Sequence, residues 1–145
     1  MTKNVQKYGK FIGHGILFPF QRNQKNDILN GTGIKLIKSS IKQILGTTCS
    51  SPITYGELPY DQQFGSLLTV IRHKNIDDPV TYELAVYYVV DALKKCEPRI
   101  KIRGVKIVSK RKEFKFIIKL AYDIIDSNIE SNKVIEKNVI QEVEV

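Results

Sequence analysis

Two carboxylates, Glu57 and Asp61, stand in one loop-like stretch and come nearest to the acid and nucleophile of a glycosidase. That reaction needs two carboxyl groups set across a sugar at a fixed separation. The chain has no tryptophan and the loop is short of sugar-stacking aromatics, so catalysis is not expected and Glu57 is read as fixing the loop. Gly56, Phe64 and Gly65 are grouped with it as loop-structure residues. His14 lies between two glycines and His73 in a polar turn. Neither has a second histidine, cysteine or carboxylate at ligand spacing, so no metal site is expected. Gly31-Thr32-Gly33 lacks the Gly-Lys-Ser/Thr ending of a phosphate loop. Cys49 and Cys96 are too few for a disulfide framework and read as free thiols in a reducing compartment. No cofactor is implied.

The charged motif Glu97-Pro98-Arg99 is different in kind. Proline ends a helix and fixes a turn that presents both charges. Arginine there can make a two-pronged contact with a carboxylate, or bond backbone carbonyls. Read alone, the pair is a helix-end ion pair worth little. Around it, residues 94 to 119 hold eleven Lys/Arg and two acids, while residues 127 to 145 hold four Glu and two Lys. Such a basic body suits an acidic partner surface or plain solvation. Nucleic acid is disfavoured, because Phe114 and Phe116 alternate inward, away from Lys115, and read as core instead of a base-stacking platform.

The elements that must position these groups follow from periodicity. Within 145 residues, 42% apolar and with a net charge of +8, one domain with a modest core is expected. Residues 1–10 read as an arm, and Phe11 to Phe20 as an extended segment. Thr32 caps a helix whose stripe is Ile34, Ile37, Ile41, Ile44 and Leu45, with Gly46 as a glycine stop. Residues 47 to 63 form a long loop, of the kind that contacts partners, and a short helical turn runs through Ile71. Asp78-Pro79 starts a helix to about Cys96 that is apolar nearly all round and expected to be buried on more than one side. Ile100, Ile102, Val105 and Ile107 then alternate with basic residues, Gly104 marking a bulge. After a basic turn, Phe114, Phe116, Ile118, Leu120 and Tyr122 face one side, with Lys115 and Lys119 opposite, completing an antiparallel hairpin.

Residues 127 to 133 read as a linker. Beyond it, Val139, Gln141, Val143 and Val145 alternate with Ile140, Glu142 and Glu144. A β-prone tail of this kind either lies on its own sheet or adds a strand to another chain's edge. The apolar run Leu84 to Val90 is far too short to span a bilayer, and the polar start lacks the core of a signal peptide. A soluble protein made in a cytoplasm is expected.

Four stretches together resemble the baseplate wedge proteins, or sheath initiators, of contractile phage tails, type VI secretion systems and related injection particles. They are Gly13-His-Gly-Ile-Leu-Phe-Pro-Phe20; Ile41-Lys-Gln-Ile-Leu-Gly-Thr47; Tyr55-Gly-Glu with Leu58 to Leu68; and Ala92-Leu-Lys-Lys-Cys-Glu-Pro-Arg-Ile100. The resemblance covers about residues 11 to 125. It departs where Leu58 replaces the usual arginine after Gly-Glu.

The resemblance implies a small α/β domain; with the elements read above this is a fold of the α+β type, two main helices packed on a mainly antiparallel sheet, plus an extended C-terminal strand that exceeds the family's minimal domain and is read from its own alternation. The divisions expected are an arm (1–10), a wedge-like domain (11–126) and a linker with partner-pairing strand (127–145). It implies a structural, non-enzymatic role in which Glu97, Pro98 and Arg99 bind neighbouring wedge proteins. Val139, Ile140, Gln141, Glu142, Val143, Glu144 and Val145 pair with sheath. Tube or hub proteins are further neighbours, about six copies form a ring, and assembly is cytoplasmic, without nucleic acid or membrane insertion. On this reading Arg99→Ala leaves a folded protein that fails to join its wedge. Some relatives have carried a lysozyme label, so a peptidoglycan-cleaving tail enzyme is the second reading and a basic nucleic-acid-binding domain the third.

Overall fold

Ile37, Ile41, Ile44 and Leu45 fall on one stripe of helix α1 (Gly33–Gly46) and are shut away from solvent. They meet Leu68 and Ile71 of the single-turn helix α2 (Leu68–Ile71) and Ala85, Val89, Ala92 and Leu93 of helix α3 (Pro79–Cys96). The structure is a computed structural model that describes residues 13–113, 115–125 and 134–145. The expected arm, Phe114 and the expected linker at 127–133 lie outside the described residues.

Thr32 precedes α1 in extended geometry, but its side chain makes no capping bond. Gly46 is the last helical residue and is not a left-handed stop. Thr47 follows at φ −98°, and the chain runs straight on to pair Thr48 with Ser66. Helix α3 starts as expected: the Asp78 carboxylate accepts the Thr81 N–H at 3.1 Å and its hydroxyl at 2.9 Å, filling a donor position left open by the first turn. Its burial is narrower than its composition implies. Thr81, Ala85, Val89, Ala92 and Leu93 are buried, whereas Val80 and Tyr87 stand 73% and 62% exposed. Among the described residues no layer covers that outer side.

Two antiparallel sheets complete the fold. A small one joins β1 (His14–Ile16) to β2 (Asn30–Thr32), a pairing that three-residue strands do not announce by alternation. The main sheet, in order β3-β4-β5, contains β3 (Ile100–Lys110), β4 (Lys115–Ile125) and β5 (Val134–Glu144), with a 3₁₀ turn at Arg111–Glu113. Phe116, Ile118, Leu120, Tyr122 and Ile124 of β4 face the helices, while Lys115 and Lys119 face water. Ile102 pairs with Tyr122 and Gly104 with Ala121, so Arg103 is the extra, bulged residue. In the single chain the C-terminal strand lies on its own sheet: Ile118 pairs with Val143, Leu120 with Gln141 and Tyr122 with Val139.

Two buried polar groups lock this register. The Tyr122 hydroxyl donates to Gln141 Oε1 at 3.0 Å, and Gln141 Nε2 donates to the Lys38 carbonyl at 2.9 Å, tying β5 to α1. Asp123 Oδ1 accepts the Asn138 N–H at 3.0 Å, and its Oδ2 accepts from Arg103 Nε at 2.6 Å. One carboxylate thus holds the irregular points of both outer strands. The Asn138 amide, and then Arg103, hold its pKa below the ordinary 3.8. A depressed carboxylate adds stability above its unfolded pKa and loses it as pH falls through the folded value. Urea denaturation from pH 6 down to pH 2 is therefore expected to show an acid limb that Asp123→Asn flattens.

Candidate functional site

The corner between α3 and β3 carries the Glu97-Pro98-Arg99 turn. The α3 ladder ends with the Glu97 N–H on the Leu93 carbonyl at 2.9 Å. Pro98 is exposed at the tip, and the Arg99 carbonyl accepts from Ile125 N–H at 2.9 Å, joining the turn to the end of β4. Glu97 turns inward and is 2% exposed. Arg99 Nε meets Glu97 Oε1 and Nη2 meets Oε2, both at 2.6 Å, in a two-pronged pair. This bonding raises the arginine's pKa, so the guanidinium is charged at every pH the fold survives. Gly13 runs past the same group: a Cβ there would lie 3.5 Å from Arg99 Nη1.

This geometry changes the meaning of the motif. Lys95–Asp91, with side chains 62% and 36% exposed, is the surface kind of ion pair, screened by solvent and of little weight. A buried carboxylate stripped of its counter-charge costs about 3–5 kcal/mol. Glu97 and Arg99 belong to the second kind. The sequence expectation that Arg99→Ala folds normally is therefore replaced. That variant is expected to lose about 3 kcal/mol in urea denaturation, while Glu97→Gln/Arg99→Met, which removes both charges, retains most of the stability.

The loop between α1 and α2 is a folded unit. Glu57 Oε1 accepts the Thr48 N–H at 3.0 Å, and the Glu57 N–H donates to the Thr48 carbonyl at 2.9 Å. Ser66 Oγ donates to the Leu45 carbonyl at 3.0 Å. Gly65 sits at φ +117°, where a Cβ would meet the Thr47 carbonyl oxygen at 2.4 Å. Gly56 has ordinary φ, but a Cβ would come within 3.0 Å of the Gln62 carbonyl oxygen. Phe64 packs on the core from the loop's inner side. Glu57 and Asp61 are both exposed, and Glu57 engages the Thr48 backbone amide. At the outer rim Ile53, Tyr55 and Tyr60 are 75%, 91% and 85% exposed. Tyr55 and Tyr60 fall within a stretch quoted for the resemblance, but the sequence carries no mark that they or Ile53 stand exposed.

Residues 139–145 lie far from any free tail-like state: Val139, Gln141 and Val143 are buried, with Ile140, Glu142 and Glu144 outward. Sequence reading also missed Asp123 and Arg103 as a clamp. Gln141, a polar residue on the apolar side of an alternating strand, was the available signal for the bond to Tyr122. Cys49 and Cys96 are free, and burial pushes the Cys49 thiol up. Among the described residues no cluster of three His, Cys, Asp or Glu could hold a metal, and no helix is long and apolar enough to cross a membrane.

No protein-family model matches the chain, and no curated protein matches it. Solved structures do. A Geobacter sulfurreducens protein named as a tail lysozyme shares 24% identity over 75% of this chain and 86% of its own, with a TM-score of 0.55. A chain of the anti-feeding prophage baseplate, solved with sixfold symmetry imposed, shares 16% identity over 86% of this chain and 93% of its own, with a TM-score of 0.67. At such identities the likeness establishes the fold. Gly65→Ala is expected to lose about 2 kcal/mol or more, because it forces a side chain into a strained backbone region against a carbonyl. Thermal unfolding measured by circular dichroism checks it.

Proposed function

We propose that the chain is a structural subunit of a contractile injection machine's baseplate. The observation that carries this reading is the correspondence along nearly the whole length of both chains with a baseplate protein, in the same α+β architecture. The Gly-Glu and Glu-Pro-Arg stretches support it independently of shape. On this reading the corner at Pro98 and Arg99 sits against neighbouring wedge proteins, with Glu97 acting behind it by holding the guanidinium. The main sheet is offered to the first sheath ring, with the 139–145 strand as its pairing element, in a ring of about six copies assembled in the cytoplasm.

The same reading makes the chain a scaffold and not an enzyme. The carboxylate that would serve as a glycosidase acid, Glu57, is engaged by the Thr48 amide.

The test is a co-expression pull-down with the sheath and baseplate proteins encoded beside this chain. The intact chain is expected to capture a baseplate partner, and Glu97→Gln/Arg99→Met, verified as folded by circular dichroism, is expected to lose it. Capture unchanged in the folded variant would sink the role of the corner. Failure to capture either protein, together with cleavage of peptidoglycan by the purified chain, would replace the scaffold reading with the enzymatic one.

A further inference from the structure

The turn between α2 and α3 meets the tip of the β3–β4 hairpin where α3 begins. Arg111 of the tip is paired with the Asp77 carboxylate, and its Nη2 donates to Asn75 Oδ1 at 3.5 Å. Asn75 also fixes the turn: its Oδ1 accepts the Asp77 N–H and its carbonyl accepts the Asp78 N–H, both at 3.2 Å. Ile76 is buried and anchors the turn to the core. Segments 36 residues apart in the chain are thus held face to face. Between them lies a cleft of about 290 Å³.

The lining of this cleft carries Arg72, Lys74 and Arg111, with Ser109 and Asn75 as polar neighbours and no carboxylate. The acids close by are committed elsewhere. Asp77 holds Arg111, Asp78 accepts from Thr81 at the head of α3, and Glu113 lies 3.7 Å from Lys115. Arg72 and Lys74 are exposed and, among the described residues, meet no acid. A second cleft on the other side of Arg111 holds Lys110 and Lys112, but Asp77 and Glu113 stand there with them. The two clefts share one arginine and differ in charge: the second is balanced and the first is not. Cations gathered on a concave wall focus a positive potential into it. Plain solvation suits lysines on an open face, such as Lys35 and Lys42 of α1. It gives no reason for a turn and a hairpin tip to bring three cations together around one hollow.

The geometry points to this cleft as a binding site for a small phosphate of the monoester or diphosphate class. Charge sets the class first. A phosphate monoester concentrates about −1.5 to −2 charges on one group, which matches the cleft better than a lone carboxylate does. Donor geometry agrees: arginine forks grip phosphate oxygens by two prongs, and lysine adds a point charge. Arg111 is already positioned by Asp77 and Asn75, and a guanidinium has more N–H donors than those two contacts use. Ser109 supplies a hydroxyl. Size agrees as well, because small-molecule sites begin at roughly 300 Å³, so this cleft suits a compact anion. The site is read from the turn and the hairpin alone and does not rest on the baseplate assignment.

The probe is inorganic pyrophosphate, titrated into the full chain at constant ionic strength, with glutarate as a dicarboxylate control. Amide NMR spectra are expected to show saturable shifts at residues 72–76 and 109–111. Arg72→Ala/Lys74→Ala, which alters two exposed side chains, is expected to weaken pyrophosphate binding at least about tenfold, because two charge-assisted contacts are lost. Lys35→Ala/Lys42→Ala removes the same charge from α1 and is expected to leave binding unchanged. Circular dichroism checks that both variants fold, and the shift map of the parent chain decides independently of either. Shifts absent from these amides, glutarate binding as tight as pyrophosphate, or equal weakening by the two double variants overturns the proposal. Tighter binding of a polyglutamate peptide, a short DNA duplex or phosphatidic acid vesicles than of pyrophosphate also overturns it, by assigning the cations to a larger partner.

Discussion

The buried carboxylate of Glu97, gripped by two nitrogens of Arg99, sits where the helical layer turns into the sheet. Three constraints meet there: the last bonds of α3, the rigid φ of Pro98 and the hydrogen bond from Ile125 to the Arg99 carbonyl. A charge with so little exposure is tolerable only with its counter-charge and hydrogen bonds in place. The turn therefore has essentially one geometry, and with it the angle at which β3 leaves α3. Everything beyond depends on that angle, because β4 takes its register from β3 and β5 takes its register from β4.

The sheet is balanced by a second electrostatic constraint. Lys106 faces Lys119 and Lys110 faces Lys115 across the β3–β4 hairpin, so the hairpin alone carries like charges in register. Glu142 and Glu144 on β5 offset that repulsion while Val139 and Val143 complete the core. The acidic tail and the basic body are thus two halves of one sheet face. Asp123 and Gln141 add direction to this general attraction. Each makes bonds that a strand slipped by one residue would break, since such a slip turns every side chain to the other face.

The motif that looks most like an exposed recognition signal is internal in its first duty. Glu97 faces inward and only Pro98 and part of Arg99 reach the surface. A residue pair can thus serve the fold and still shape an interface, by fixing the backbone that a partner meets. The loop from Thr47 to Ser66 repeats the pattern. Glu57 and Gly65 hold its interior, and Ile53, Tyr55 and Tyr60 stand at its rim.

Local sequence determined the elements whose signals are local. Asp78-Pro79 and Pro98 bracket α3 because a side-chain cap and a missing N–H act within a turn of the chain. The bulge beside Gly104 and the inward rows Phe116 to Tyr122 and Val139 to Val143 follow from a period of two, although the bulged residue itself is Arg103. The α+β class follows from those elements. What pairs with what needed three dimensions. Two three-residue strands, the extended exit after Gly46, the bare outer side of α3 and the meeting of Arg103 with Asn138 on Asp123 all depend on contacts between residues distant in the chain. The state of the tail is the clearest case. Its alternation fits its own sheet and a neighbour's equally well, and only the Tyr122–Gln141–Lys38 bonds and the β4 lysines bring it home within the single chain, because they supply partners that no periodicity records.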